Sequence, residues 1–384
     1  MSADLLARGI GARAHAVARR NARETAMRTA VAAPVGPLAC FTVAASPPLV
    51  TTTDAAATTI PSAVRVAATN ACFRVTGTPI LAVAADPSAY GASDGAGGTG
   101  FARPIQWEWM SDAAQLELLV LKHNALFDVF VDGQLVQEGA FATPATGDRR
   151  LVKLDWTATG DPRRPRHYRL AGINLLFGGL YLDPAGSAWF PGDGARRGFI
   201  AVLGDSYSQG TGAPTVARTW AAAAAAQLQM DAWSDGAGGA GWNSGGTNVP
   251  AQRVAKGIAA LTRAPDLLVT AMGYNDFAAD APALVSLRGR YDASVAAMRS
   301  AWPAARIVTL GPWTPLGPTT ALGRVRAALI EAAAANGVAY VDLENFVGVG
   351  NRGIYTAPDY VHPTAAGHLY LGRRIGQAIA EALA

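Results

Sequence analysis

The sequence predicts a three-layer, doubly wound α/β domain that follows an all-β jelly-roll sandwich. Between residues 63 and 195, short runs of alternating apolar and polar residues recur between turn signals, a pattern typical of the half-buried strands of a sandwich. From residue 196 onward, short apolar runs alternate with longer helical stretches, which indicates parallel strands connected by helices. We therefore expect three parts: an arm and linker over residues 1–62, the sandwich over 63–195 and the α/β domain over 196–384.

The composition excludes several classes of protein. Of the 384 residues, 50% are hydrophobic and only 16% are charged, so most of the chain can bury a core and is not disordered. No run of about 18 uninterrupted apolar residues occurs, which argues against a membrane span. Cys40 and Cys72 are too few for a disulfide scaffold or a cysteine-rich zinc site. No cluster of His, Cys, Asp and Glu has metal-ligand spacing, and we expect no metal and no cofactor.

The net charge of +4 belongs to the N-terminal arm. Residues 1–30 contain six arginines and two acidic residues, so they carry the whole net charge and the rest of the chain is neutral. The folded body is therefore not expected to attract nucleic acid. Residues 2–30 are predicted to form a helix and residues 31–62 a linker rich in Ala, Pro and Thr. The twin arginine Arg19-Arg20 before an apolar run leaves export open, so the location of the protein stays undetermined.

The α/β domain is predicted to contain five strands and five helices. The expected strands are Phe199–Leu203, Met230–Trp233, Leu267–Met272, Ile307–Leu310 and Val338–Asp342. The expected helices are Pro214–Leu228, Ala251–Arg263, Pro282–Ala301, Leu322–Asn336 and a last one from Pro363 to the end. The strands show little alternation, as expected for parallel strands that are covered on both faces.

Polar and glycine-rich loops follow four of the expected strands. They carry Gly204-Asp205-Ser206, the glycine-rich run 236–241, Gly273-Tyr274-Asn275-Asp276 and, near the end, Asp359-Tyr360-Val361-His362-Pro363. Because the carboxyl ends of parallel strands share one edge of a sheet, we expect these loops to meet there. A hydroxyl, an imidazole, a carboxylate, an amide and bare glycine backbone are the groups that nucleophilic acyl transfer requires.

Each of these groups has an expected role. Ser206 is the candidate nucleophile, His362 its general base, and Asp359 the carboxylate that orients the imidazole. The backbone N–H groups of Ser206 and Gly239 and the side-chain amide of Asn275 are the candidate donors of an oxyanion hole. Pro363 is expected at the first position of the last helix. Asp205 and Asp276 are expected to form only local hydrogen bonds.

The four loops together resemble the blocks of the SGNH/GDSL hydrolase family. "VLGDSYSQG" resembles the nucleophile block, "GAGGAGW" the block with the oxyanion glycine, "GYND" the Gly-x-Asn-Asp block and "DYVHP" the Asp-x-x-His-Pro block. Ala240 stands where the family usually has threonine. The resemblance covers residues 197–384 and implies a flavodoxin-like sheet, the triad Ser206, His362 and Asp359, and an oxyanion hole of Ser206, Gly239 and Asn275. With the preceding sandwich, the chain is similar to two-domain carbohydrate esterases.

The function expected from these observations is a serine esterase that hydrolyses small acyl esters, O-acetyl groups on a carbohydrate above all. It would act through an acyl-enzyme. Trp242 and Trp313 follow strand ends and are candidate walls of the substrate pocket. The acyl length, the alcohol and the oligomeric state stay open.

Other hypotheses compete with an esterase. A non-catalytic carbohydrate-binding or structural attachment protein, with a silent hydrolase domain, is the main alternative. Two segments, Gly95–Gly100 and Gly236–Gly241, match the Gly-x-Gly-x-x-Gly pattern of dinucleotide sites, but neither is predicted to lie between a strand and a helix. Trp107 and Trp109 alternate on one strand and are expected in the core, with stacking on sugar as the alternative.

Overall fold

A computed structural model of the chain contains two antiparallel sheets and one largely parallel sheet. It describes residues 41–77, 101–102, 104–121, 125–144, 149–173, 175–192, 198–243, 250–277, 279–316, 319–348 and 350–384. The predicted helix over residues 2–30, Cys40 and the segment Gly95–Gly100 lie outside these residues.

Two antiparallel sheets face each other in the N-terminal half, and the prediction of a β-sandwich is confirmed. The strands are β1 (Leu49–Thr53), β2 (Val64–Ala67), β3 (Arg74–Thr76), β5 (Pro104–Ser111), β6 (Gln115–Leu121), β7 (Leu126–Val131), β8 (Gln134–Leu135), β9 (Phe141–Ala142), β10 (Arg149–Asp155), β11 (Arg166–Ile173), β12 (Phe177–Leu182) and β13 (Ala188–Trp189). One sheet has the order β1-β10-β6-β12-β2 and the other β13-β5-β11-β7-β8, with β3 on β5 and β9 on β7.

Aromatic side chains fill the space between the two sheets. Trp107 and Trp109 are completely buried there, and the ring of Trp109 stacks on that of Tyr168 with centroids 5.4 Å apart. Both tryptophans therefore pack in the core, and neither offers a surface for stacking on a sugar.

Two short strands lie where the sequence did not place them. The residues Leu49–Thr53 were expected in the linker, but they pair along their whole length with β10 and so belong to the sandwich. The strand β4 (Phe101–Ala102) comes from the sandwich part of the chain, yet it pairs antiparallel with a strand of the α/β sheet. Both are edge strands, whose partners are set by long-range packing that a local sequence pattern does not contain.

The C-terminal half contains the predicted three-layer α/β arrangement. Its strands are β14 (Gly198–Gly204), β15 (Met230–Ala237), β16 (Leu267–Ala271), β17 (Arg306–Leu310) and β18 (Ala339–Val341), all mutually parallel, in the order β18-β17-β16-β14-β15-β4. This is the flavodoxin-like order, in which the chain reverses direction across the sheet at β14. The carboxyl end of β14 is therefore the expected place for a site.

Helices cover both faces of this sheet. They are α1 (Ser206–Gln209), α2 (Trp220–Gln227), α3 (Pro250–Lys256), α4 (Ala281–Ala301), α5 (Thr320–Ala335), α6 (Arg352–Tyr355) and α7 (Ala365–Leu383), with 3₁₀ turns at Val216–Arg218, Ile258–Ala260 and Tyr274–Asp276. Apolar residues of α3, α4 and α5 pack on one face, and those of α2 and α7 pack on the other. The single helix expected over Pro214–Leu228 is instead a 3₁₀ turn followed by α2. None of the described helices combines the length and apolar character that a membrane crossing requires.

A buried glutamate attaches the residues before β2 to the sandwich. Glu117 of β6 is completely buried. Its carboxylate accepts hydrogen bonds from Thr58 Oγ1 at 2.6 Å, from the Thr59 backbone N–H at 3.1 Å and from Thr59 Oγ1. A buried carboxylate is tolerated only when it has such partners, so residues 58–59 and β6 stabilise each other.

Replacing this glutamate should destabilise the protein. We expect Glu117→Ala to lower the free energy of unfolding by about 2 kcal/mol, because the hydrogen bonds from Thr58 and Thr59 are lost and the truncation leaves a cavity at a completely buried position. Urea unfolding of the full chain measures the change, with Glu138→Ala as the control because Glu138 is exposed in the same half of the chain. Equal stability of the two variants would contradict the role given to Glu117.

Candidate active site

The loops that follow the parallel strands meet at one edge of the sheet, above β14. His362 Nε2 lies 3.0 Å from Ser206 Oγ, and His362 Nδ1 lies 2.7 Å from Asp359 Oδ2. Ser206 and His362 are 156 residues apart in the sequence. The structure thus brings together Ser206, His362 and Asp359, which we call the Ser–His–Asp group.

Ser206 begins the short helix α1 directly after β14. Asp205 caps this helix, because its Oδ1 accepts a hydrogen bond from the Tyr207 backbone N–H at 3.0 Å. Ser206 is half-buried. The cap fixes the sharp change from strand to helix and so holds the serine at the strand end.

A tight loop presents Asp359 and His362. Asp359 Oδ1 accepts hydrogen bonds from the backbone N–H groups of Val361 at 2.9 Å and His362 at 3.0 Å, and Tyr360 between them has a φ of 54°. The hydrogen bond with His362, followed by that with the Val361 backbone, lowers the pKa of Asp359 to about 2. The carboxylate is therefore ionised at neutral pH and can stabilise a protonated imidazole.

Pro363 does not occupy the predicted helix position. The helix α7 begins at Ala365, and Thr364 is its cap, accepting a hydrogen bond from the Gly367 backbone N–H at 3.1 Å. A threonine hydroxyl can satisfy a free N–H of the first helical turn, and proline cannot. Pro363 lies just before this cap.

Two of the candidate oxyanion donors lie on the loops that follow β15 and β16. Gly239 has a φ of 70°, and a Cβ atom added there would meet no atom within 4 Å, so its backbone is open to a ligand. Asn275 Nδ2 donates a hydrogen bond to the carbonyl oxygen of Ala240 at 2.8 Å, which ties the loop after β16 to the loop after β15.

Asp276 holds the same loop from below. Its carboxylate accepts hydrogen bonds from the backbone N–H groups of Trp242 at 2.7 Å and Asn243 at 2.8 Å. A Cβ at Gly241 would lie 2.6 Å from this carboxylate, so only glycine allows the contact. The expectation of local hydrogen bonds for Asp276 is correct, and these bonds shape the loop that carries Gly239.

The two candidate tryptophans lie in different surroundings. Trp242 is completely buried against Tyr291, with ring centroids 5.0 Å apart, so its expected place in a pocket wall is wrong. Its ring instead anchors the loop in the core under α4. Trp313 packs 4.8 Å from the ring of Tyr207 and lines a cleft of about 20 Å³ with Asp205, Tyr207 and Tyr274.

The sequence analysis did not single out Tyr207 or Arg253. The ring of Tyr207 lies 5.7 Å from that of His362, and burial raises the pKa of its hydroxyl well above the ordinary value. Arg253 of α3 is buried beneath the site, where its guanidinium donates to Gly204 O at 2.7 Å and to Asp235 Oδ1 at 3.0 Å. Tyr207 adjoins Ser206 in the sequence, so the nucleophile block could have indicated it, whereas no local pattern indicates Arg253.

His368 of α7 is completely buried. It links α7 to the start of α2, because its Nδ1 accepts a hydrogen bond from the Trp220 backbone N–H at 3.1 Å. Burial lowers the pKa of His368 to about 4. Within the described ranges, no three residues of His, Cys, Asp and Glu are grouped so that they could hold a metal ion.

Residues 202–369 match the model of the GDSL-like lipase/acylhydrolase family. Solved structures share the fold across both halves of the chain. One is a salicylyl-acyltransferase, SsfX3, from a tetracycline biosynthetic pathway, with 18% identity, a TM-score of 0.65 and coverage of 84% of this chain and 98% of that one. The comparison with curated proteins found no match.

Two further structures are esterases. A family two carbohydrate esterase from Clostridium thermocellum, in complex with cellohexaose, has 20% identity, a TM-score of 0.59 and coverage of 73% of this chain and 93% of that one. An acetyl xylan esterase, Est2A, from the rumen bacterium Butyrivibrio proteoclasticus has 14% identity, a TM-score of 0.56 and coverage of 81% and 98%. At these identities the likeness establishes the two-domain fold. The resemblance to two-domain carbohydrate esterases is thereby confirmed.

The carboxyl group of Asp205 should make stability depend on pH. Complete burial raises the pKa of Asp205 to about 7, against the opposing effects of the Tyr207 N–H and Arg253. Because the folded pKa exceeds the ordinary value of 3.8, the neutral form is favoured in the folded state. The resulting stability is present below pH 3.8 and is lost as the pH rises through about 7.

Asp205→Asn mimics the protonated carboxyl and can still cap α1. We expect the melting temperature of the variant minus that of the unmodified protein to increase between pH 4 and pH 7. Above pH 7 this difference should stay level. Asp342→Asn is the control, because an exposed ion pair with Arg326 lowers the pKa of Asp342 and the difference should be constant over this range. Thermal unfolding at a series of pH values measures both differences. A difference for Asp205→Asn that does not change with pH would refute the raised pKa of Asp205.

Proposed function

Because the protein carries a GDSL-like lipase/acylhydrolase domain and is a carboxylic ester hydrolase, we propose that it is a serine esterase that removes small acyl groups from a carbohydrate. The observation that carries this proposal is the continuous chain of contacts from Ser206 Oγ through the His362 ring to Asp359, at 3.0 Å and 2.7 Å. Such a chain is the arrangement that activates a hydroxyl as a nucleophile.

In the proposed mechanism, His362 Nδ1–H donates to Asp359, which leaves Nε2 as the acceptor of the Ser206 proton. Ser206 Oγ attacks the acyl carbon as His362 takes that proton, and the imidazolium then returns it to the departing alcohol oxygen. The acyl group stays on Ser206 until a water, deprotonated by His362, attacks it. The imidazolium returns that proton to Ser206 Oγ as the bond between Oγ and the acyl carbon breaks, which releases the acid and regenerates the serine.

The oxyanion of each tetrahedral intermediate is assigned to three donors: the backbone N–H groups of Ser206 and Gly239 and the side chain of Asn275. The positive φ and open surroundings of Gly239 support its part. An amide nitrogen carries two N–H groups. One of them donates to the Ala240 carbonyl oxygen, which holds the side chain at the loop that carries Gly239 and supports its part.

The similar structures support a small acyl group, since one of them is an acetyl xylan esterase.

A carbohydrate as the alcohol is supported by the fold and by exposed rings at the rim. Similar structures include a carbohydrate esterase in complex with cellohexaose and an acetyl xylan esterase. Phe277 is 52% exposed and its ring lies 6.1 Å from that of Tyr274, at the strand edge that carries Asn275. Flat apolar rings of this kind can pack on the faces of sugar rings. Acetate release from a panel of acetylated polysaccharides, beside aryl esters of longer acids, tests this choice.

The Ser–His–Asp group should act as a unit. We expect Ser206→Ala and His362→Ala each to lower kcat for p-nitrophenyl acetate by about 10⁴-fold or more, because either change removes the activated nucleophile. Ser208→Ala is the matched control: Ser208 lies in the same short helix and is buried, so this change tests whether disturbing α1 is enough. Unchanged rates in Ser206→Ala would end the proposal. Binding of glycan without turnover would favour the attachment-protein alternative.

Loss of the amide donor should slow the reaction without abolishing it. We expect Asn275→Ala to reduce kcat by about 10²- to 10³-fold, as is typical when one donor of an oxyanion hole is removed. Asn336→Ala serves as the control, since Asn336 caps the far end of α5 and bonds to Asp292. Steady-state kinetics with p-nitrophenyl acetate measures both, and an Asn275→Ala variant as fast as the control would exclude this residue from the oxyanion hole.

A further inference from the structure

The chain between α1 and α2, which we call the 210–219 segment, lies between the sandwich and the loop that carries His362. On the sandwich side it faces β7. Phe127 and Val129 of this strand belong to the sandwich core, whereas Phe130 packs with Ala217 of the segment. Because side chains alternate along a strand, Asp128 points to the same side as Phe130, toward the α/β domain.

Asp128 binds the segment by three hydrogen bonds. Its carboxylate is 1% exposed and accepts from Arg218 Nη2 at 2.5 Å, from Arg218 Nε at 3.2 Å and from Thr215 Oγ1. The two-point contact with a guanidinium fixes orientation as well as distance. A carboxylate of the sandwich therefore fixes the second half of the segment.

The first half of the segment lies against the residues that follow His362. Gly212 has a φ of 88°, and a Cβ there would lie 1.9 Å from the carbonyl oxygen of Pro363, so the two backbones are in direct contact. The neighbouring Thr211 carbonyl oxygen accepts a hydrogen bond from His368 Nε2 at 3.0 Å. His362 is joined to Pro363 by a peptide bond, so a shift of the segment moves the imidazole.

The sandwich also supports the strand that leads to Gly239. The strand β4 pairs with Gly236 and Ala237 at the end of β15, two residues before Gly239. Pro104 O accepts a hydrogen bond from Trp233 Nε1 at 2.8 Å, and Gln106 Nε2 donates to Ala232 O at 2.8 Å. Both sides of the candidate active site thus rest on the sandwich.

We propose that the sandwich is a working part of the active site, and that Asp128 is a positioning residue for His362. It acts through Thr215 and Arg218, whose segment presses Gly212 against Pro363. This inference rests on the proposed function and adds to it. On this proposal, the sandwich is required even for hydrolysis of an ester too small to reach it. A domain that only binds glycan would not be required for such an ester.

The first test compares two buried carboxylates of the sandwich. Asp128→Asn keeps the shape but turns an N–H₂ toward the guanidinium of Arg218. A displacement of about 1 Å can cost up to about 100-fold in rate, so we expect kcat for p-nitrophenyl acetate to fall by about 10-fold or more, with KM little changed. Glu108→Gln is the matched control, because Glu108 is also buried but pairs at 2.8 Å with Arg74, another residue of the sandwich. It should lower the melting temperature while leaving kcat within about twofold.

A milder variant keeps the proposal testable if Asp128→Asn does not fold. Thr215→Val removes one of the donors to Asp128 at nearly constant volume, and we expect a smaller fall in kcat. The double variant should lose no more activity than Asp128→Asn alone, because both changes act through one contact. If the decreases in kcat of the two single variants added up in the double variant, a shared route to His362 would be contradicted. A decrease in kcat for Glu108→Gln as large as that for Asp128→Asn would also contradict it.

A measurement without turnover separates this inference from the proposed function. If the unmodified protein does not hydrolyse any ester tested, the esterase proposal fails. The NMR chemical shifts of the His362 ring, measured with ring-labelled histidine, still report its surroundings. We expect these shifts to change in Asp128→Asn and not in Glu108→Gln. Ring shifts in Asp128→Asn identical to those of the unmodified protein would overturn the role of Asp128.

Discussion

The backbone segments that surround Ser206 lie so close together that single methyl groups would push them apart. A Cβ at Gly236, at the end of β15, would lie 2.1 Å from the backbone nitrogen of Gln209 in the helix that Ser206 begins. Side chains cannot fill gaps of this size, so relative positions are fixed by direct backbone contact, which is stiff because packed interiors resist compression. The geometry of the Ser–His–Asp group depends on this contact between strand ends and loops.

Much of the α/β domain could be predicted because its local and global signals agree. The apolar strands and the loops that follow them are continuous in the sequence, and parallel pairing places all carboxyl ends at one edge. The nearness of Ser206 to His362 was therefore expected, although 156 residues separate them. The 3₁₀ turn at Val216–Arg218 escaped prediction because the alanine-rich stretch after it favours helix, whereas Thr219 has extended backbone and caps α2, so that the helix begins only at Trp220.

The packing between the two halves was not predictable, for a physical reason. Alternation along β7 shows that every second residue is buried, but it does not say that the opposite face is buried too. Asp128 has the appearance of an ordinary solvent-facing residue of a half-exposed strand, and yet it is 1% exposed against the α/β domain. Trp242 is the reverse case: its place after a strand end suggested a pocket wall, and Asp276 instead turns the loop so that the ring enters the core.

The surface position of the candidate base explains why such support is needed. The side chains of His362 and Asp359 are 23% and 48% exposed, and the proposed mechanism requires both water and a leaving alcohol to reach the imidazole. An exposed loop has few contacts of its own to hold it still. Precision at His362 must therefore come from beneath, where Pro363 meets Gly212 and where the segment of Gly212 is held by Asp128. The site thus combines access for water at its surface with a rigid support beneath His362, and the sandwich supplies that support.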